Sequence, residues 1–218
     1  MCKEYSSVLD GVTYVDPVLL DVHWWRGVSK ASELARLAYG PHTITQCWTD
    51  YGWVKDRERW PNFMVSMLDR TGVPLDLSLK LPLVLDRRDS ARENLLFKAS
   101  SKPFIAVNTT GYSSPFKHSA DLLRLLSVVS PSVGIVDIGR IRAERVYDVL
   151  GIMDRAIGGI HIDSATLHLA HACPKPYIAF TQDGWLSSVP RGNCVLNIKY
   201  SGFGACKDKV LETIRSWM

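Results

Sequence analysis

The chain has 218 residues, of which 46% are hydrophobic and 22% charged, with a formal net charge of +4 and a pI near 8.8. That composition excludes global disorder and leaves room for one large or two small cored domains. The mild basicity suits a phosphate-bearing ligand but does not by itself argue for nucleic acid.

In chain order, an extended stretch is predicted at 12–15, closed by Asp16-Pro17, and another at 19–22. Ser29 is placed to cap a helix over 29–39, which Gly40-Pro41 stops. Periodicity fades between Thr43 and Asn62, where Trp48, Tyr51, Trp53 and Trp60 sit among polar residues and near Lys55, Arg57 and Arg59. A helix is predicted over 63–70, a strand over 82–85 and a helix over 90–98. A polar stretch at 99–102 marks the expected boundary between a domain of 1–98 and one of 99–218.

The second half alternates strand and helix. Strands are predicted at 104–107, 133–138, 159–162, 177–180 and 194–198; helices at 119–130, 146–156, 165–172 and 207–218. Such alternation argues for βαβ units and a parallel sheet, an α/β fold.

Five cysteines (Cys2, Cys47, Cys173, Cys194 and Cys206) form no Cys-x-x-Cys pair and suggest neither a zinc ribbon nor a disulfide framework. They read as reduced thiols of a cytoplasmic protein. No apolar run approaches the ~20 residues that span a bilayer, and the first residues lack a signal-peptide core.

The segment from Ile160 to Ala172 is the most informative. An apolar strand runs into Asp163-Ser164, and a small-residue helix follows. Ser164 is a natural N-cap, and the free N–H groups of Ala165, Thr166 and Leu167 would face a diphosphate, with His168 one turn in. Asp-Ser also serves many turns purely as a cap, and His168 also fits a core position. Thr109-Thr110-Gly111 follows the 104–107 strand and can face the same crevice, with Lys117 and His118 adding charge; a plain capping loop fits equally well. His161, Asp163, His168 and His171 match no known metal spacing, and no Walker loop or Gly-x-Ser-x-Gly elbow is present.

The run Asp163-Ser164-Ala165-Thr166-Leu167-His168-Leu169-Ala170, followed by Pro176 and an apolar strand, resembles the Asp-Ser/Thr-Gly-x-x-His-Leu-Ala signature of the heptosyltransferase-like family 9 glycosyltransferases. The resemblance implies a GT-B-like fold: two Rossmann-like halves, with an incomplete N-terminal acceptor-side half and a C-terminal donor-binding half. It implies that Asp163, Ser164, Ala165 and His168 line the donor pocket. It places Thr109, Thr110 and Lys117 on the phosphates, and Gly151 and Met153 flanking the base, although a buried helix face is an equal reading of those two. Alanine replaces the family glycine at Ala165, which narrows the approach of a phosphate. The family's opening strand and Gly-Asp loop, which carries its general base, have no counterpart here; Asp16, Asp21, His23 and Asp50 are candidates by residue type alone.

The implied function is transfer of a sugar from a nucleotide-diphosphate sugar to a saccharide, lipid-linked glycan or nucleic acid, without metal or other cofactor. The alternative is a nucleotide or nucleotide-sugar binding protein without transfer. A partner subunit or an oligomer completing the N-terminal half is a further expectation. The tryptophan-rich stretch, together with Trp24-Trp25, serves either as acceptor-stacking surface or as core.

Overall fold

The structure is a computed structural model that describes residues 12–13, 65, 74–80, 83–97, 100, 102–111, 114–129, 132–184 and 187–218. Asp16, Asp21, His23 and Asp50, the tryptophan-rich stretch and the 29–39 helix lie outside these residues. Val65, from the expected 63–70 helix, is helical.

After Val65, the described residues hold two short helices, α1 (Leu75–Lys80) and α2 (Ser90–Leu96). The expected strand at 82–85 is not formed: residues 83–85 have no regular structure and Val84 is exposed. The stretch leads instead into Arg88, whose guanidinium bonds Glu93 at 2.7 Å twice and Asp154 at 2.6 Å. Burial of these charges as a network ties α2 to the sheet domain.

The remainder is an α/β unit built on a five-stranded, all-parallel sheet. Its strands are β1 (Phe104–Asn108), β2 (Gly134–Asp137), β3 (Gly158–Ile162), β4 (Tyr177–Thr181) and β5 (Cys194–Lys199), in the order β2-β1-β3-β4-β5. Between them run α3 (Ser119–Ser127), α4 (Leu150–Met153) and α5 (Ala165–Ala170); α6 (Lys207–Arg215) closes the unit. The expected 146–156 helix is split into a 3-10 segment, Val146–Val149, and α4.

Side chains alternate across a strand with period two, and that rule sorts the core into two layers. Ile105, Val107, Ile160, Ile162, Ile178 and Phe180 face α3 and α6, where Leu122, Leu126, Val210 and Ile214 meet them. Phe104, Ala106, Tyr177 and Ala179 face the other way, onto α4 and α5. Every residue of β1, β3 and β4 is buried, as expected of strands covered on both faces.

The strand order has a chemical consequence. From β1 the chain steps one way to β2, with α3 on one face; from β3 it steps the opposite way to β4, with α5 on the other face. Right-handed crossovers require this change of face whenever the direction reverses. The carboxyl ends of β1 and β3 therefore send their chains apart, leaving a crevice at the topological switch point. Among the described residues no helix is long and apolar enough to cross a membrane.

Candidate functional site

A cavity of about 510 Å³ occupies that crevice. Asn108, Thr110, Ser164 and Thr166 form its polar wall. Ile138, Ile141, Ala143, Val146 and Val149, from the segment after β2, form an apolar wall. Gly111, Gly139, Ala165 and Glu144 complete the lining, and Glu144 is the one ionisable side chain among these residues. It ion-pairs with Arg92 of α2.

Asn108, the last residue of β1, organises the polar wall. It is 2% exposed, and its amide uses both ends. Nδ2 donates to Ser164 Oγ at 2.8 Å and to Thr166 Oγ1 at 2.7 Å, across the seam between β1 and β3. Oδ1 accepts from Thr110 N at 3.0 Å and Thr110 Oγ1 at 3.1 Å, which folds the β1 loop over the strand end. A Cβ at Gly139 would collide with Asn108 Oδ1 and Thr110 Oγ1, so only glycine lets the β2 turn approach this cluster.

Ser164 occupies the N-cap position of α5 with extended backbone, but its hydroxyl does not cap the helix. It is drawn instead to Asn108 and to Ile162 O, at 3.2 Å. Leu167 N is satisfied by Ser164 O at 3.0 Å. The six-residue helix brings exposed Ala165 and buried Thr166 to the cavity.

Of the other residues singled out in the sequence, the structure brings Thr110, Ser164 and Ala165 to the cavity and places the rest elsewhere. Thr109 is buried, and its carbonyl accepts from Ser119 Oγ at 2.9 Å, at the start of α3. Lys117 is exposed away from the lining, and His118 stacks on Phe203 at 5.1 Å. Gly151 is buried where α4 meets Glu93 of α2, and Met153 lies in the core behind the apolar wall.

Asp163 turns its carboxylate away from the cavity. It is 6% exposed and accepts from Gln182 N at 3.2 Å, Ser188 N at 2.9 Å and Ser188 Oγ. It thereby anchors the connection between β4 and β5, which has no helix among its described residues. His168 is half-buried outside the cavity. Burial lowers its pKa; Arg191 adds to this and the Asp163 carboxylate opposes it. Tyr200 completes the frame: its hydroxyl accepts from Asp163 N and donates to Ser114 O, each at 3.2 Å. Burial pushes that phenol up to about 12, so it remains a neutral donor.

Sequence reading missed Asn108 as the hub and the 138–149 segment as a wall. Asn108 ends an apolar strand next to Thr109-Thr110-Gly111, a position from which an amide can reach the neighbouring strand end. The apolar wall carried no such signal, because Ile138, Ile141, Ala143 and Val146 are interleaved with Arg140, Arg142, Glu144 and Arg145, which reads as solvated surface.

Among the described residues no group of three or more His, Cys, Asp or Glu is gathered so as to hold a metal ion. The chain matches no protein-family model, no curated protein and no solved structure. The geometry of the crevice is what argues for its role.

Proposed function

We propose that the crevice between β1 and β3 binds the nucleotide part of a nucleotide-diphosphate sugar, and that the chain is a GT-B-like glycosyltransferase whose described sheet is the donor-binding half. The observation that carries the reading is the 510 Å³ cavity at the switch point of a parallel sheet, with one apolar wall and one wall of hydroxyls and amide. A base and ribose require that pairing of surfaces: a flat apolar face, and a few fixed hydrogen-bonding groups to orient the polar edges. The volume is in the range of small-molecule sites.

In this reading the base lies on Val146, Val149 and Ile141. The diphosphate meets Thr110, Ser164 and the first amides of α5, whose donors stabilise negative charge as it gathers on the leaving diphosphate. Residues 1–98 form the acceptor side and supply the group that deprotonates the acceptor, with Asp16, Asp21, His23 and Asp50 as the candidates. We assign the protein to the cytoplasm, where nucleotide sugars are the donors at hand.

A second reading, binding without transfer, draws on one feature: among the described residues of the lining, the single ionisable side chain, Glu144, is engaged by Arg92. A cavity so poor in acid–base groups is equally suited to holding a nucleotide unchanged.

The test is a thermal-shift panel of ADP, UDP, GDP, CDP and dTDP and their sugar conjugates on the full chain. A ligand at about a hundred times its Kd should raise Tm by about 8 °C. Ala165→Trp, at an exposed rim position, should abolish the rise without lowering the ligand-free Tm. A panel in which nothing shifts, or a shift that survives in Ala165→Trp, would remove the crevice as the donor site. Hydrolysis or transfer of the stabilising donor then separates the two readings.

A further inference from the structure

Glu144 is the one ionisable side chain among the described residues of the crevice lining, and the nucleotide reading gives it no task. It stands in the apolar wall, one residue after Ala143 and two before Val146, both of which line the cavity with it. A carboxylate and a diphosphate repel each other. A bound nucleotide therefore turns its base towards Glu144, not its phosphates.

The carboxylate is within reach of a ligand and has capacity to spare. Its side chain is 77% exposed. Among the described residues Arg92 of α2 is its one partner, with Nη1 against Oε2. A carboxylate has two oxygens and about four lone-pair sites, so that pairing leaves most of them open. Arg92 does not line the cavity, and it also pairs with Asp89, with Nε 3.4 Å from Oδ2. The series Asp89, Arg92, Glu144 thus steadies the acceptor from behind, as a recognition group requires.

The hydrogen-bonding edges of the bases differ in what they offer such a group. Guanine presents two donors side by side, N1–H and the N2 amine. Adenine and cytosine each present one amine next to a ring-nitrogen acceptor. Uracil and thymine present a single N–H between two carbonyls. Both oxygens of a carboxylate accept, so guanine alone satisfies the two together; with any other base one oxygen faces a lone pair.

Resting on the reading of the crevice as a nucleotide site, we propose that Glu144 is its specificity-determining residue and selects guanine, so that the ligand is guanosine diphosphate or a sugar conjugate of it. The base lies on Val146, Val149 and Ile141, and its N1–H and N2 amine donate to the Glu144 carboxylate. Bonds to a charged acceptor are stronger than neutral pairs, and each wrong base adds a repulsion. Discrimination of this kind exceeds what an apolar face supplies.

The test is calorimetric titration of the full chain with GDP, inosine diphosphate, ADP, UDP and CDP. GDP should bind at least about tenfold more tightly than ADP, UDP or CDP. Inosine diphosphate keeps N1–H and lacks the N2 amine, and should fall about fivefold below GDP. Glu144→Gln should weaken GDP about tenfold and should bind xanthosine diphosphate about tenfold more tightly than wild type does. Xanthine carries a carbonyl where guanine has the amine; the glutamine amide donates to it and accepts N1–H, whereas the carboxylate repels it. A gain of affinity cannot come from a damaged fold. GDP no tighter than ADP, UDP or CDP, inosine diphosphate equal to GDP, or Glu144→Gln without the loss of GDP or the gain of xanthosine diphosphate would each overturn the assignment. Ala165→Trp keeps the two readings apart. If another nucleotide binds best and Ala165→Trp abolishes it, the crevice remains the nucleotide site and Glu144 does not select guanine; if no nucleotide binds, both readings fall.

Discussion

His161 is a histidine with nothing to do for its polarity. It sits next to last in β3, fully buried, with both ring nitrogens lacking partners among the described residues, edge-on to Tyr177 at 5.9 Å. Burial drives its pKa down to about 3 from 6.5. The sign of the linkage is fixed: as pH falls below 6.5 the unfolded chain takes up a proton that the folded chain refuses, so stability is complete above 6.5 and drains away towards about 3. Each such group gives a slope of up to about 1.4 kcal/mol per pH unit. His161→Leu, which removes the unmet nitrogens, should lose about 2 kcal/mol less than wild type between about pH 7.5 and about pH 5 in urea unfolding, and parallel pH profiles would refute it. At this scale the sequence was partly legible. Thr110, Ser164 and Ala165 were expected at the site and line the cavity. Asp163 looked like a pocket residue, because the pattern that draws attention to a strand-end carboxylate does not say which way it turns; Ser188 and Gln182, far along the chain, decide that.

At the scale of elements, hydrophobic patterning located the strands of the second half within a residue or two. The runs at 104–107 and 177–180 are apolar throughout because both faces are covered. β5, at the sheet edge, alternates between buried or half-buried and exposed positions instead. Helices were harder. The 146–156 segment has helical spacing, but its two turns differ in type, and the join lies beside Gly151. There α4 approaches α2 so closely that a Cβ would sit 2.5 Å from Glu93 Cβ and 2.8 Å from its Oε2. Local spacing cannot report a contact made with residues some sixty positions earlier. Gly151→Ala should force the helices apart and disturb the carboxylate that Arg88 holds, costing about 1–3 kcal/mol in chemical denaturation. A change below a few tenths would mean that α2 is not seated there.

The whole molecule presents a sheet whose order, β2-β1-β3-β4-β5, was not readable from the chain. Alternating elements imply parallel strands, but which strand lies beside which is settled by crossover direction and layer packing, both non-local. The consequence for function is that one amide, Asn108, stitches the two parts of the sheet together at the point where their loops diverge. The connection between β4 and β5 was also unforeseen: its described residues form no helix, and Asp163, Lys199 and Asp183 secure it through Ser188, Ser187 and Ser201. Nothing in residues 182–193 announces this, since each anchor is a single polar pair.

The crevice offers hydroxyls, an amide and a lone carboxylate paired with Arg92, and among the described residues no cation lines it. Dissolved salt screens the attraction between full charges, but it leaves apolar stacking and neutral hydrogen bonds almost untouched. Raising sodium chloride from about 0.05 M to about 0.5 M should leave the affinity of a nucleoside lacking phosphates for the crevice unchanged, read by calorimetry. A several-fold fall over that range would mean that charge, not the apolar wall and the neutral donors, holds the nucleoside there.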